Sequence, residues 1–143
     1  TVLDDLPDDV RLYPVGRLDL NTSGALLVTN DGELAHRLMH PSYRVPKLYE
    51  ALVEGRVSAA GLRALRDGVL LDEQPGGTWL SIEIAEGRNR QVRRMCEAIG
   101  HRVQRLHRAR YGAVTLGRLT RGQWRALTPQ ELHRLAKSVG LER

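Results

Sequence analysis

The sequence contains little cysteine, little lysine and no long apolar run. Its single cysteine, Cys96, excludes a disulfide within the chain, and its apolar neighbours at helical spacing indicate a small core side chain rather than a reactive thiol. No apolar stretch approaches the roughly eighteen residues of a membrane helix. Residues 1–10 also lack the basic and apolar regions of a signal peptide, so a soluble, cytoplasmic protein is expected. With 143 residues and 41% hydrophobic content, the chain suits one globular domain or the larger part of one.

The scarcity of lysine makes arginine the dominant cation. Of the 22 basic residues only Lys47 and Lys137 are lysines, and residues 86–125 contain eleven arginines but only two acids, Glu86 and Glu97. Guanidinium groups bind phosphate and stack on bases. The clustering therefore favours a polyanionic partner, although a solvated basic face and a genome rich in G and C are alternative explanations.

Several motifs of common enzyme classes are absent from the sequence. The five histidines are scattered, and although His36 and His40 share a helix face, the residue after His36 is arginine, so there is no HExxH motif. No phosphate-binding glycine loop occurs, and Ser23, between Thr22 and Gly24, does not form a GxSxG elbow. These absences disfavour a metal site, phosphoryl transfer and serine hydrolysis.

Helical and strand-like patterns alternate along the chain. The predicted strands cover residues 24–29, 47–54, 78–86 and 102–108, and the predicted helices cover 30–38, 58–67, 89–99 and a segment that begins at Thr128. Asn30 with Glu33, and Thr128 with Glu131, have the spacing of a capping box. Because there is no strict βαβ repeat, we expect an α+β fold in which helices pack on a mixed, mostly antiparallel sheet crossed by a basic cleft.

The segment "GRLDLNTSG" places Asp19 two residues after Arg17 and just before an apolar run. Side chains two apart in extended backbone point to the same side, so both residues can face one cleft. An arginine beside a carboxylate favours its ionised form. The alternative is that Asp19 only caps a turn.

Four blocks of sequence together carry a stronger signal than any one of them. In order, they are "GRLDLNTSGALLVTNDGELAHRL", "KLYEALVEG", "EGRNRQVRRM" and "RARYGAVTLGRLTRGQWRAL", and the resemblance that they carry covers about residues 11–128. In these blocks the chain closely resembles the RsuA-type family of ribosomal RNA pseudouridine synthases, and within it the RluB-like enzymes of large-subunit rRNA. The resemblance implies an isomerase that converts a chosen uridine to pseudouridine without metal or cofactor.

The resemblance also assigns roles to individual residues. It implies that Asp19 is the catalytic carboxylate, as nucleophile or as base, and that Tyr49 stacks on the target uracil. Arg93 would pair with the catalytic aspartate, and Arg17 would enter the space left by the flipped nucleotide. The side chains expected to contact the RNA are Lys47, Arg88, Arg90, Arg94, Arg108 and Arg110. Taken alone, Tyr49 can be a packing residue and Arg93 a solvated helix residue.

The sequence departs from the family pattern in two places. Family members usually begin with an S4-type RNA-binding domain and a strand with a Lys-Pro motif, and RluB-like chains have a longer segment between the positions of Asp72 and Thr78. We therefore expect residues 1–143 to be a catalytic domain truncated at its N-terminus and lacking a segment near 72–78. The expected partner is ribosomal RNA and not a membrane, and the protein is expected to be a monomer. The rival hypothesis is a non-catalytic RNA-binding module that uses the same basic groove.

Overall fold

A computed structural model describes residues 12–16, 18, 22–65, 68–85, 90–117, 119 and 122–143. Arg17, Asp19 and Arg88 lie outside the described residues. Within those ranges the strands are β1 (Tyr13–Val15), β2 (Thr22–Gly24), β3 (Leu27–Thr29), β4 (Lys47–Glu54), β5 (Gly68–Gln74), β6 (Gly77–Ile84), β7 (Val103–Tyr111) and β8 (Val114–Thr115). The helices are α1 (Gly32–Met39), α2 (Ala59–Ala64), α3 (Gln91–Ala98) and α4 (Pro129–Ser138), with a 3-10 turn at Pro41–Tyr43.

The larger of two sheets is mixed and mostly antiparallel. Its strand order is β2-β7-β4-β6-β5, and β8 pairs with β7. The pairing of β2 with β7 is parallel, whereas β4, β5, β6 and β8 pair antiparallel with their neighbours. The smaller sheet consists of β1 and β3. The predicted α+β class and the mostly antiparallel sheet are confirmed.

The predicted strand over residues 24–29 is two strands that belong to different sheets. Gly24 ends β2 with φ +117°, a backbone conformation that residues with a side chain rarely adopt, and β3 begins three residues later. The next helix, α1, is capped by Asp31 rather than by Asn30. The Asp31 side chain accepts a hydrogen bond from the backbone N–H of Leu34 at 3.1 Å, because it stands directly before the first helical residue.

A β-hairpin occupies the region around residues 72–78. Strands β5 and β6 are joined by a short turn at Pro75 and Gly76, and β5 was not predicted from its sequence. Strand β5 is the outer edge of the large sheet, and the side chains of Val69, Leu70 and Leu71 are exposed there.

Two apolar clusters stabilise the domain. One joins α1 and α4 to the small sheet and to Tyr111 at the end of β7. The other lies between the large sheet and α3, where Leu80 and Ile82 pack with Val92 and Cys96. Burying each large aliphatic side chain contributes about 1.5–3 kcal/mol. Cys96 is 0% exposed, which confirms the prediction of a core residue, and burial raises the pKa of its thiol to about 11.

The C-terminal helix begins as its sequence predicts. Thr128 and Glu131 form a reciprocal capping box, with Pro129 in the first turn. None of the helices in the described part of the chain combines the length and the apolar character needed to cross a membrane.

Candidate functional site

Strands β4 and β7 form the centre of the site, and two irregularities in their pairing decide which side chains meet. Leu48 pairs with Arg110 but Tyr49 pairs with Arg108, so β7 has an extra residue between these two arginines. A second shift follows Leu52. Because of the first irregularity, Arg108 and Tyr111 face the same side of the sheet although they are three residues apart.

Two cations lie against one buried aromatic ring on that side. The Arg108 guanidinium carbon is 5.0 Å from the centroid of the Tyr111 ring, and the Lys47 Nζ is 5.4 Å from it. Burial and the charge of Arg108 lower the pKa of Lys47. Burial raises the pKa of Tyr111, whose hydroxyl donates a hydrogen bond to the backbone oxygen of Leu38 at 3.1 Å.

Tyr49 and Arg93 belong to the same region of the molecule. Tyr49 is half-buried against the cluster that contains Val92 and Cys96 of α3, on the face where α3 packs. Arg93, next to Val92, is only 7% exposed and its Nη1 donates to the backbone oxygen of Val103 at 3.4 Å. The interpretation of Arg93 as a solvated helix residue is therefore wrong.

The remaining described arginines are placed differently. Arg90 precedes the first residue of α3 with φ +56° and is exposed, and Arg94 is exposed on the same helix. Arg110 faces the opposite side of the sheet from Arg108, where its Nη2 forms an ion pair with Glu83 Oε1 at 2.9 Å. The structure thus brings Lys47, Tyr49 and Arg108 to one face, and places Arg110 on the other.

The described residues on either side of Arg17 and Asp19 are held by hydrogen bonds. Before Arg17, the backbone N–H of Gly16 donates to the sulfur of Met39 at 3.0 Å. After Asp19, β2 pairs with β7 and the N–H of Ala25 donates to the backbone oxygen of Arg108 at 2.7 Å. The Arg108 side chain returns a bond from its Nε to the oxygen of Ala25 at 2.8 Å.

Sequence reasoning missed three residues or contacts that shape the region around β2 and β7. A Cβ at Gly24 would overlap the backbone of Arg108, so only glycine allows β2 to approach β7 this closely. Ser23 Oγ lies 2.9 Å from His107 Nδ1 across the same pair of strands. Tyr111 supports the two cations. A glycine that interrupts a strand pattern is the signal that could have indicated the close approach at Gly24.

The described residues contain no group of three or more His, Cys, Asp or Glu side chains that could hold a metal ion. The described site contains aromatic rings and buried or half-buried cations, next to strand β2, which begins three residues after Asp19 in sequence. Such a site can hold a planar base and neutralise an anion.

Two solved structures share the fold of this chain. A crystal structure of a pseudouridylate synthase matches with a TM-score of 0.76 and 33% identity, covering 87% of this chain and 59% of that one. The archaeal box H/ACA sRNP Nop10-Cbf5 complex matches with a TM-score of 0.55 and 20% identity, covering 75% of this chain and 40% of that one, which shows a shared fold.

The sequence comparison gives the family directly. Residues 1–98 match the family described as RNA pseudouridylate synthase. The chain belongs to this family, as its resemblance to pseudouridine synthases implies. It is 43% identical over 154 residues to an uncharacterized RNA pseudouridine synthase of Aquifex aeolicus, covering 99% of this chain and 61% of that protein. It is 46% identical over 140 residues to ribosomal large subunit pseudouridine synthase B of Bacillus subtilis, covering 87% of this chain and 57% of that protein. The chain therefore spans about three-fifths of the length of these relatives.

Proposed function

We propose that this chain is the catalytic domain of an enzyme that converts one uridine of large-subunit ribosomal RNA to pseudouridine. The observation that carries the proposal is membership of the RNA pseudouridylate synthase family, together with the 46% identity to a relative named for the large ribosomal subunit. The enzyme acts as a monomer in the cytoplasm, where ribosomal RNA is made.

The reaction exchanges one bond to the ribose for another. The bond between uracil N1 and ribose C1′ breaks, the uracil turns, and a new bond joins its C5 to C1′. The hydrogen on C5 leaves as a proton and N1 gains one, so the overall composition does not change. Asp19 either attacks C1′ as a nucleophile and is released when C5 attacks, or removes the proton on C2′ as a base and returns it when C5 joins C1′.

The detached base must not escape while it turns. Tyr49 is suited to this task because its ring is half-buried on the face where Lys47 and Arg108 lie, and stacking is worth about 1–3 kcal/mol per base. Arg93 pairs with Asp19 in this proposal. Its burial on α3, a helix that packs against the same cluster as Tyr49, supports that role.

A base inside an RNA stem or stack must be flipped out before it can react, which costs a few kcal/mol. Arg17 enters the space that the nucleotide leaves. The RNA is contacted by Lys47, Arg88, Arg90, Arg94 and Arg108. Arg110 would meet RNA only on the opposite face of the sheet. There a phosphate would compete with Glu83 for its guanidinium.

The relatives are longer than this chain, and we propose that their additional part includes the S4-type RNA-binding domain typical of the family. A longer chain with that domain is expected to bind ribosomal RNA more tightly and more selectively than residues 1–143. Equal affinities, measured at one stated salt concentration, would contradict this expectation.

Release of tritium tests the proposed reaction. Large-subunit rRNA transcripts carrying tritium at uracil C5 are incubated with the wild type, with Asp19→Asn and with Asp72→Asn, whose carboxylate lies on the exposed strand β5. The wild type and Asp72→Asn should release one tritium per uridine converted, and Asp19→Asn none. Release that persists in Asp19→Asn would remove Asp19 from the mechanism. A wild type that binds the RNA but releases nothing would instead support the non-catalytic binding module.

A further inference from the structure

Lys47 and Arg108 are two desolvated cations that share one aromatic ring. The charged groups of Lys47 and Arg108 lie 5.4 Å and 5.0 Å from the centroid of the Tyr111 ring. In the described part of the chain neither is in an ion pair with a carboxylate. Two like charges held close together, one buried and one half-buried, destabilise the folded state unless an anion joins them.

One nitrogen of the Arg108 guanidinium has no hydrogen-bond partner among the described residues. The residue is 4% exposed, its Nε donates to the backbone oxygen of Ala25, and its buried Nη2 has no hydrogen-bond partner. Buried guanidinium nitrogens are normally satisfied, because an unmade bond in a dry site costs free energy. No described residue supplies an acceptor to this nitrogen, so an acceptor on a bound molecule would satisfy it.

The position of Lys47 and Arg108 relative to Tyr49 indicates which bound molecule would supply an acceptor to Arg108. Arg108 is directly opposite Tyr49 in the pairing of β4 with β7, and Lys47 is two residues from Tyr49 on the same face. A base stacked on Tyr49 would place its own oxygens, or the phosphate next to its ribose, beside these cations. A guanidinium and an ammonium suit a group with one negative charge shared between oxygens.

We propose that Lys47 and Arg108 form a binding site for a singly charged oxygen group of the target nucleotide, supported by the ring of Tyr111. This inference rests on the proposed function. The group is either the phosphodiester beside the target uridine or the uracil itself. When the N1–C1′ bond breaks, its electron pair stays on uracil, and the charge spreads from N1 to O2 and O4 until C5 joins C1′.

The two variants Lys47→Met and Arg108→Gln test the site. Methionine keeps an apolar stem against Tyr111, and glutamine keeps a donor for Ala25. The matched controls are Lys137→Met, in the last turn of α4, and Arg63→Gln, in the last turn of α2. Each variant is measured for RNA affinity across salt concentrations, for tritium release in a single turnover at saturating protein, and for thermal unfolding.

An anion site predicts opposite changes in function and stability for Lys47→Met. RNA affinity or the rate of tritium release should fall by about tenfold or more, whereas the melting temperature should stay equal or rise, because a half-buried positive charge near Arg108 is removed. A purely structural role for Lys47 predicts that stability and function fall together, and that result would overturn the proposal. Arg108→Gln should reduce RNA affinity or the rate of tritium release at least as much as Lys47→Met does. Both control variants should change these two quantities less than twofold.

The readouts also separate the two sources of the charge. Weaker RNA affinity with a smaller salt dependence assigns the site to the phosphodiester. Unchanged affinity with a slower single turnover assigns it to the departing uracil. Unchanged affinity and an unchanged single-turnover rate in folded Lys47→Met and Arg108→Gln proteins would refute the site. If the wild type releases no tritium but both variants weaken RNA binding, the proposed function fails and the anion site remains.

Discussion

Gly24 lies against the backbone of Arg108, in a parallel pairing of β2 with β7 that leaves no space for a Cβ atom. This contact fixes the chain five residues after Asp19 to the strand that carries the buried guanidinium. A backbone bond from the Ala25 N–H to the Arg108 oxygen continues the pairing, and the Arg108 Nε donates to the Ala25 oxygen. The placement of the catalytic segment proposed here thus depends on a residue that has no side chain.

Replacement of Gly24 by alanine should destabilise the domain by about 2 kcal/mol or more, because the added methyl group overlaps backbone atoms and φ is +117°. Urea unfolding monitored by circular dichroism measures the change. Gly32→Ala is the control, since nothing lies within 4 Å of a Cβ at that position. A Gly24→Ala protein as stable as Gly32→Ala would show that β2 and β7 are not this close.

Substitution of Tyr49 separates stacking from packing. Tyr49→Phe keeps the ring and should retain tritium release within about threefold, whereas Tyr49→Ala should lose roughly fivefold to 150-fold, which corresponds to about 1–3 kcal/mol of base stacking. Single-turnover assays below the melting temperature of each variant exclude loss of folded protein as the cause. Equal activity of the two variants would leave Tyr49 with a packing role only.

The charge of Glu131 should make stability depend on acid. Hydrogen bonds from Arg125 lower the pKa of Glu131 from its usual 4.5 to about 2. Since the pKa of Glu131 is lower in the folded state, its ionised carboxylate stabilises the folded protein. This contribution is complete above about pH 4.5 and is lost as the pH falls towards 2. Glu131→Gln, which keeps a side chain suited to the capping box, should melt at a lower temperature than wild type at pH 5.5, and the difference should shrink by pH 2.5. A constant difference would exclude the charge as its source.

Cys96 should react with thiol reagents only after unfolding. The side chain is fully buried, and burial raises its pKa to about 11, so the thiolate is scarce at neutral pH. An iodoacetamide time course, followed by mass spectrometry, should show no modification of native protein and complete modification in guanidinium chloride. Rapid labelling of the native protein would contradict the core position of α3.

The sequence predicted the elements whose side chains repeat regularly. The strand over residues 47–54 is present with the same bounds, and helix α3 buries Val92 and Cys96 as its spacing indicates. The capping box at Thr128 is also confirmed. These elements are predictable because one local pattern specifies each of them.

Strand β7 shows where local patterns are insufficient. Its buried residues are Val103, Leu106, Arg108 and Tyr111, spaced by three, two and three positions. Two shifts in register against β4 produce this spacing, and the regular alternation of a strand does not predict them. The shift between Leu48 and Tyr49 also separates Arg108 from Arg110, which a regular strand would place on the same face.

The burial of Arg93 is a second feature that helical periodicity does not predict. Its position on α3 lies away from the apolar stripe, yet it is buried beside Val103 of the following strand. The roles of Asp19, Arg17 and Arg88 came from the family resemblance, and their positions lie outside the described residues. Their assignment stays a prediction for the experiments above.

The parallel pairing of β2 with β7 has a consequence for how the protein is made. Ser23 and His107 are 84 residues apart in sequence, so a ribosome must translate most of the domain before β2 can find its neighbour. Until then the segment next to Asp19 has no strand to align it. The nascent chain should therefore have no catalytic activity until β7 leaves the exit tunnel, even if its N-terminal half has already folded.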